Sequence, residues 1–307
     1  MVISPISLNR QLGTGDNMLK KRLVACLLIR DGLIVQSIGF KRYLPIGHPK
    51  FPIEFVVKWD VDEIVLLDMS ATSENRVLNL ELLTLLSRFC FIPLTVGGGI
   101  RTVDDARQII RAGADKVTVN AHAVARPQLI SDIADVFGSQ CVVVSLDCRR
   151  EANGHYQVYT HSGTKPTGLT PKVWAKQVET LGAGEIFLNS IDRDGSKKGY
   201  DIELIQCISN AVTIPVIACG GVGNYNHFSP GVIEGGASAV AAANIFHYIE
   251  HSTIVAKAHL LRDGVDVRLD SDAKYAGREF DENGRLIMLS SDKLSDIQFK
   301  RAVQELL

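Results

Sequence analysis

The sequence has no cysteine pair spaced C-x-x-C, no apolar run of about 18 residues, and almost no imbalance of charge. Its six cysteines, Cys26, Cys90, Cys141, Cys148, Cys207 and Cys219, stand singly, several inside apolar runs such as Val24-Ala25-Cys26-Leu27. That pattern excludes a disulfide scaffold and reads as buried, reduced thiols, hence a cytoplasmic chain. The lack of long apolar runs excludes a membrane-spanning helix. Residues 1–17 lack the apolar core of a signal peptide and read as a polar leader, with Met18 as an alternative start. Lysine plus arginine total 33 against 34 acidic residues, a net charge of −1. Such a surface offers no field for nucleic acid or an anionic membrane and leaves a small molecule as the expected ligand. A G-x-G-x-x-G turn followed by a ribose-binding acid is also absent, which excludes a dinucleotide fold and leaves no cofactor to expect.

What the chain does have is 46% hydrophobic residues over 307 positions and a regular recurrence of short apolar runs. The runs are Leu23–Ile29, Ile64–Asp68, Pro93–Val96, Val117–Asn120, Val142–Asp147, Ile186–Ser190, Pro215–Ala218 and Ala239–Asn244, each followed by a segment of helical length. Continuous rather than alternating apolar strands, joined by helical crossovers, require a parallel sheet covered by helices. Eight such units in about 250 residues predict an α/β fold, a (βα)8 barrel. Gly97-Gly98-Gly99 recurs as Gly220-Gly221, and the segment Gly113–Asn120 recurs as Gly236–Asn244, with Gly97 to Gly220 and Gly113 to Gly236 both at an offset of 123 positions, so the barrel reads as two half-barrel repeats. The barrel is expected over 18–264. Residues 265–307 form an extension, with a hairpin turn at Asp281-Glu282-Asn283-Gly284 and a terminal amphipathic helix from Ser290. That extension either caps the barrel or docks a partner.

In such a barrel the reactive groups stand at the C-terminal ends of the strands. Gly98 and Gly99 after strand 3, and Gly220 and Gly221 after strand 7, allow backbone N–H groups to approach an anion, each assisted by Asn120 or Asn244 one strand later. Two such half-sites predict a substrate with two phosphates. Asp68, Asp147, Asp192 and Asp194 are the acids at or just beyond strand ends, and Asp68 and Asp192 fit the repeat offset within one residue, as counterparts. Asp147 faces a cavity and suits general acid or base work, whereas Asp68 and Asp192 serve equally well as loop caps. Between the repeats Leu28 occupies the place of Asp147, so a symmetric pair of carboxylates is reduced to one. At the opposite rim Arg22, Glu63, Lys116 and Glu185 precede strands 1, 2, 4 and 6, two cations and two anions that must pair where they are buried. His247-Tyr248-Ile249-Glu250-His251 has the H-x-x-E-H spacing of a zinc site but no evident third ligand, so no metal is expected.

Lys21–Leu27, Thr95–Ile100, Phe137–Asp147 and Asn189–Gly195 together resemble the cyclase subunit of imidazole glycerol phosphate synthase, and the resemblance runs from about Met18 to Arg268. It implies a barrel that takes ammonia from a separate glutaminase subunit and closes a bisphosphorylated ribulosyl formimino substrate to imidazole glycerol phosphate. It also implies substrate contacts at Asp68, Ser162, Asp192 and Asp194, an ammonia gate at Arg22, Glu63, Lys116 and Glu185, and a glutaminase contact at Asp115. The family's two catalytic aspartates fall at Leu28 and Asp147, and its loop-1 lysine falls at Gln36. Paralogues resembling the family accompany sugar amidotransferases of surface polysaccharides, which makes such an enzyme a candidate partner. No cysteine here sits in a G-x-C-x-G nucleophile elbow, so the glutaminase belongs to another chain.

Overall fold

The computed structural model describes residues 20–247 and 252–268, residue 287, and the backbone of Ile6–Ser7 and Glu279–Phe280, which pair antiparallel. The rest of the 1–17 leader, the Asp281–Gly284 turn, the helix expected from Ser290 and all of the H-x-x-E-H motif after His247 lie outside the described residues.

Eight parallel strands close on themselves: β1 (Arg22–Arg30), β2 (Glu63–Asp68), β3 (Leu94–Gly97), β4 (Lys116–Val119), β5 (Val142–Arg150), β6 (Glu185–Ser190), β7 (Val216–Cys219) and β8 (Ala239–Ala242). Closure runs through Ala239↔Arg22 to Ala242↔Ala25. The helices between them are α1 (Lys50–Lys58), α2 (Leu80–Ser87), α3 (Val103–Arg111), α4 (Gln128–Phe137), α5 (Pro171–Thr180), α6 (Ile202–Ser209) and α7 (Phe228–Ile233), with α8 (Ser252–Arg262) last. This is the α/β (βα)8 barrel expected from the apolar runs.

The continuous apolar strands make sense once both faces are seen. Along β1, Leu23, Ala25, Leu27 and Ile29 point out into the shell against the helices, while Val24 and Cys26 point in. The inner layer is completed by Val65, Val143, Phe187, Ile217, Ala239 and Ala241, so the barrel is packed rather than open. Caps fix where the helices start. Asn79 and Asp201 accept from the backbone N–H groups of Leu82 and Leu204, and Thr102 with Asp105 forms a reciprocal capping box on α3.

Two excursions rise from the C-terminal rim. After β1 a hairpin of Leu33–Ile38 and Arg42–Gly47 pairs back on the strand, with Leu28 opposite Val35. After β5 an arm, Tyr156–Thr160, pairs with Asp147 opposite Tyr159. They are counterparts in the two halves.

Strand pairing sets the half-barrel register. Val24 pairs with Glu63 as Val143 pairs with Glu185, and Leu28 with Leu67 as Asp147 with Asn189. Leu28 is therefore the true counterpart of Asp147. The repeat is not uniform, however. Gly98 and Gly99, both at positive φ, correspond to Gly220 and Gly221, one position off the offset of 123, because β2–β3 and β6–β7 are equally long and an extra residue enters only before β8. Two pairings expected from sequence shift accordingly. The counterpart of Asp68 is Ser190 rather than Asp192, and the backbone of Asn120 (φ −136°, ψ −88°) matches Ala243 (φ −113°, ψ −77°) rather than Asn244.

At the N-terminal end Lys257 of α8 is fully buried, its Nζ 3.2 Å from Asp60 and 2.8 Å from Asp62, while Asp62 also accepts from Leu23 N. This clamp fastens the last helix to the first two strands. Removing one partner of a buried ion pair typically costs about 3–5 kcal/mol. Lys257→Ala is expected to lose about that much in urea denaturation, and Lys257→Met, which keeps the packing, is expected to lose less.

Candidate active site

The C-terminal ends of the strands surround a cavity roofed by the β1 hairpin through Ser37 and Phe40. One wall is polar. Asp147, near the end of the buried part of β5 and 8% exposed, accepts a 2.7 Å hydrogen bond from Asn120 Nδ2. Thr118, Ser145 and Asn189 line the cavity beside it, each placed there by the period-2 alternation of its strand. Burial pushes the Asp147 carboxyl up to about 7, opposed by the Asn120 hydrogen bond and aided by the charge of Asp194.

The other wall is apolar. Leu28 and Leu67, paired across β1 and β2, stand where Asp147 and Asn189 stand in the other half, and Ala243 stands where Asn120 does. Thus the whole Asn120–Asp147 pair has been replaced by Ala243–Leu28. Sequence comparison of the halves revealed Leu28, but the loss at Ala243 became visible only with the backbone register.

The remaining acids divide by their partners. Asp194 lines the cavity and holds the hairpin: it accepts from Ser37 Oγ at 2.6 Å and Phe40 N at 3.1 Å, and its carbonyl accepts from Gly39 N. Burial raises its pKa, against these hydrogen bonds. Asp68 also lines the cavity, yet its carboxylate accepts from Ser70 N, Ala71 N and Arg76 Nη1, the last at 2.6 Å. Asp192 is exposed, accepts from Arg150 N at 2.8 Å, and is not among the lining residues. Gln36 sits mid-hairpin opposite Leu44, also outside the lining.

Gly98, Gly99 and Asn120 border the cavity together with Ala121 and His122. Glycine is required at 99: a Cβ there would lie 1.7 Å from the carbonyl oxygen of Arg76, and φ is +72°. Gly220, Gly221 and Asn244 do not border the cavity, and the Asn244 amide donates to the Ser37 carbonyl at 2.8 Å. Ser162 does border it, in a turn where His161, Ser162 and Gly163 are all left-handed (φ 52°, 53° and 74°). Two non-glycine residues held there mark strain of the kind concentrated at functional sites. His161 and His122 are site residues that sequence reasoning missed. Their only signal was adjacency to Ser162 and to the Asn120 turn.

At the opposite end of the barrel Arg22 bridges Glu63 (2.7 Å) and Glu185 (2.8 Å), and Lys116 bridges the same two acids, both at 2.9 Å. The four close a neutral ring across the barrel mouth, with Thr95 Oγ1 donating to Glu63. Burial opposes the Arg22 charge, but Glu185 and Glu63 overcome it and raise its pKa. Asp115 lies exposed on this rim and accepts from Leu94 N. Among the described residues no cluster of three or more metal-ligating side chains occurs, and no helix is long and apolar enough to cross a membrane.

A family model described as "Histidine biosynthesis protein" matches residues 22–252. The chain is also 48% identical, over 269 residues, to a Vibrio vulnificus (strain YJ016) protein named "Putative imidazole glycerol phosphate synthase subunit hisF2", covering 88% of this chain and 98% of that relative. The chain belongs to the imidazole glycerol phosphate synthase cyclase-subunit family. It is thereby an enzyme subunit of lyase type, built on the barrel expected from its sequence. Within that family barrel, the described cavity brings together one carboxyl group able to exchange a proton near neutrality and an apolar surface facing it.

A carboxyl group held high by burial makes the native state less stable as it ionises. The sign follows from linkage: between its usual value near 4 and its raised value the folded chain binds more protons than the unfolded one, so stability falls as pH rises through that window. Asp147→Asn is expected to be more stable than wild type at pH 8 by about 1–3 kcal/mol. The difference should vanish below about pH 4 in denaturant titrations.

Proposed function

We propose that this chain is the barrel subunit of a glutamine-dependent amidotransferase complex, receiving ammonia from a separate glutaminase and presenting it to an acceptor beside Asp147, with ordinary imidazole ring closure abandoned or much weakened. One contrast carries the reading: the charged ring at the N-terminal mouth is complete, whereas the acid pair at the C-terminal mouth is half replaced. The four groups pair fully with one another, and because such a network adds little net stability, a role beyond stability is what this reading assigns to it. Asp115, exposed on the same rim, is the residue to which this reading gives the glutaminase contact. The gate role of Arg22, Glu63, Lys116 and Glu185, and the substrate roles of Asp68, Ser162 and Asp194, are part of this proposal. Asp192, exposed and bonded to Arg150, supports it only by holding the β5 arm. Six free cysteines suit the cytoplasmic setting the proposal requires. The acceptor in this reading is a phosphorylated compound or a sugar, the latter with a sugar amidotransferase as third component.

A second reading, ordinary cyclisation in histidine biosynthesis, draws on Asp147 itself. A carboxyl with a pKa of about 7 populates both protonation states, so one group can act first as base and then as acid.

Turnover of the phosphoribulosyl formimino substrate with excess ammonium salt separates the two. The first reading expects wild-type turnover depressed by the roughly 10²–10⁴ that one acid–base group supplies, with Leu28→Asp recovering part of it. Robust wild-type turnover abolished by Asp147→Asn would restore the cyclase. In the reconstituted complex Lys116→Ala is expected to lower product formed per glutamine hydrolysed by roughly tenfold, equivalent to about 1.4 kcal/mol, while ammonium-driven turnover holds.

A further inference from the structure

The cavity has one carboxyl group free for proton exchange where a symmetric pair of half-barrels would give two. Resting on the reading that the acceptor lies beside Asp147, we infer that His161 is a catalytic residue whose imidazole Nε2 carries the second proton, the task that a carboxylate at position 28 would perform.

Few groups lining the cavity are free to exchange a proton. The Asp68 carboxylate is committed to Ser70 N, Ala71 N and Arg76, and the Asp194 carboxylate to Ser37 Oγ and Phe40 N. Cys219 is hydrogen-bonded to Cys26, and that bond together with burial holds its thiol well above the usual range. Burial, with the nearby charges of Arg101 and His161, lowers the His122 pKa and keeps its ring neutral near pH 7. His161 lines the same cavity with one nitrogen uncommitted. Its Nδ1 lies 3.0 Å from Thr160 Oγ1, which fixes the ring, and Nε2 has no hydrogen bond to a described residue.

The turn that carries this ring is strained and firmly held. From Arg150↔Tyr156 to Asp147↔Tyr159 the arm runs back along β5, so Thr160 and His161 return toward the barrel. His161 and Ser162 are then both left-handed, at φ 52° and 53°, a conformation that favours glycine. Thr164 N and Oγ1 both donate to the His161 carbonyl, at 3.2 and 2.6 Å. Arg149 donates to the Gly163 carbonyl at 3.1 Å while its guanidinium lies over the Tyr159 ring. Gly163 packs so closely that a Cβ there would be 3.2 Å from both Phe40 Cδ1 and Ile191 Cδ1. A loop that needed only to turn would do so more easily with glycine at 161 and 162. Side chains kept in left-handed positions, with the backbone clamped around them, are kept for what they reach.

When ammonia adds to an sp² carbon of the acceptor, the nitrogen lone pair forms the C–N bond and the π pair moves to the atom doubly bonded to that carbon. One proton must then leave the nitrogen, and one must reach the atom that took the pair. Burial pushes the Asp147 carboxyl up to about 7, so its protonated form is present near neutrality to supply the latter. Neutral His161 Nε2 takes the former. Exchange with water returns both groups to their starting forms. Two carriers acting together avoid the charged adduct that a single carboxyl group, working first as base and then as acid, leaves standing between its steps.

The test is ammonium-driven turnover of the phosphoribulosyl formimino substrate by the full chain: wild type, Leu28→Asp, His161→Gly and the double variant, each checked for native circular dichroism. Glycine suits φ 52° and leaves an imidazole-sized gap. His161→Gly is expected to lower kcat by roughly tenfold or more with KM within about twofold, and free imidazole in solution is expected to restore most of that loss. In the Leu28→Asp background the same substitution should cost less than about threefold, because the carboxylate then shares the task. His155→Gln, at an exposed position just before the arm, should change neither constant. An unchanged kcat in His161→Gly, a loss that imidazole does not reverse, an equal loss in both backgrounds, or a wild type no faster than the uncatalysed reaction overturns the inference. Stimulation of the glutaminase is measured separately. If it persists while His161→Gly has no effect, the ammonia-delivery reading stands without the second carrier; if it is absent while imidazole rescues the variant, the carrier stands and the delivery reading falls.

Discussion

The pairing of β8 with β1 is the constraint on which the rest of the molecule depends. Because the sheet closes through Ala239–Ala242 against Arg22–Ala25, each strand is buried on both faces, and side chains that alternate along it are sorted into a shell packed on helices and an interior column. Closure also gathers the strand beginnings at one mouth and the strand ends at the other. The charged ring and the acid-bearing cavity are thus held at opposite ends of one rigid tube, with Val24, Val65, Val143, Phe187 and Ile217 between them.

Within that frame the two halves have parted company at their chemical ends while keeping a common scaffold. Asn79 and Asp201 cap equivalent helices, and Gly99 and Gly221 turn equivalent corners against backbone carbonyls of Arg76 and Gly199. Around the cavity the two halves differ at Asn120–Asp147 against Ala243–Leu28, at Asn189 against Leu67, and in a hairpin fastened to Asp194 and Asn244. Scaffold positions answer to packing and backbone geometry, which every ligand requires alike. Cavity positions answer to the ligand alone.

Much of this was legible in the sequence, for identifiable reasons. Continuous apolar strands at helical spacing gave the barrel, because burial on both faces leaves no polar alternation. The repeat exposed Leu28, because β1 and β5 are uninterrupted and a register read by eye holds within them. It misled at Asn244 and Asp192, because one extra residue before β8 and an irregular loop after β6 break the count where hydrogen bonds, not periodicity, decide which residue is opposite which. His161 and His122 were invisible because loop conformation, left-handed in the case of His161, aims them. The Asp194 clasp on Ser37 joins residues 157 positions apart, beyond any local pattern.

The inequality of the two walls has a consequence for orientation. A twofold-repeated pocket presents the same handholds at both ends, so a ligand with similar ends can enter it either way round, and half of its bound population then faces the reactive group with the wrong atom. With hydrogen-bonding groups gathered around Asp147 and hydrocarbon around Leu28, that degeneracy is gone. The pocket has acquired a head and a foot, and a molecule lying in it has one direction in which to lie.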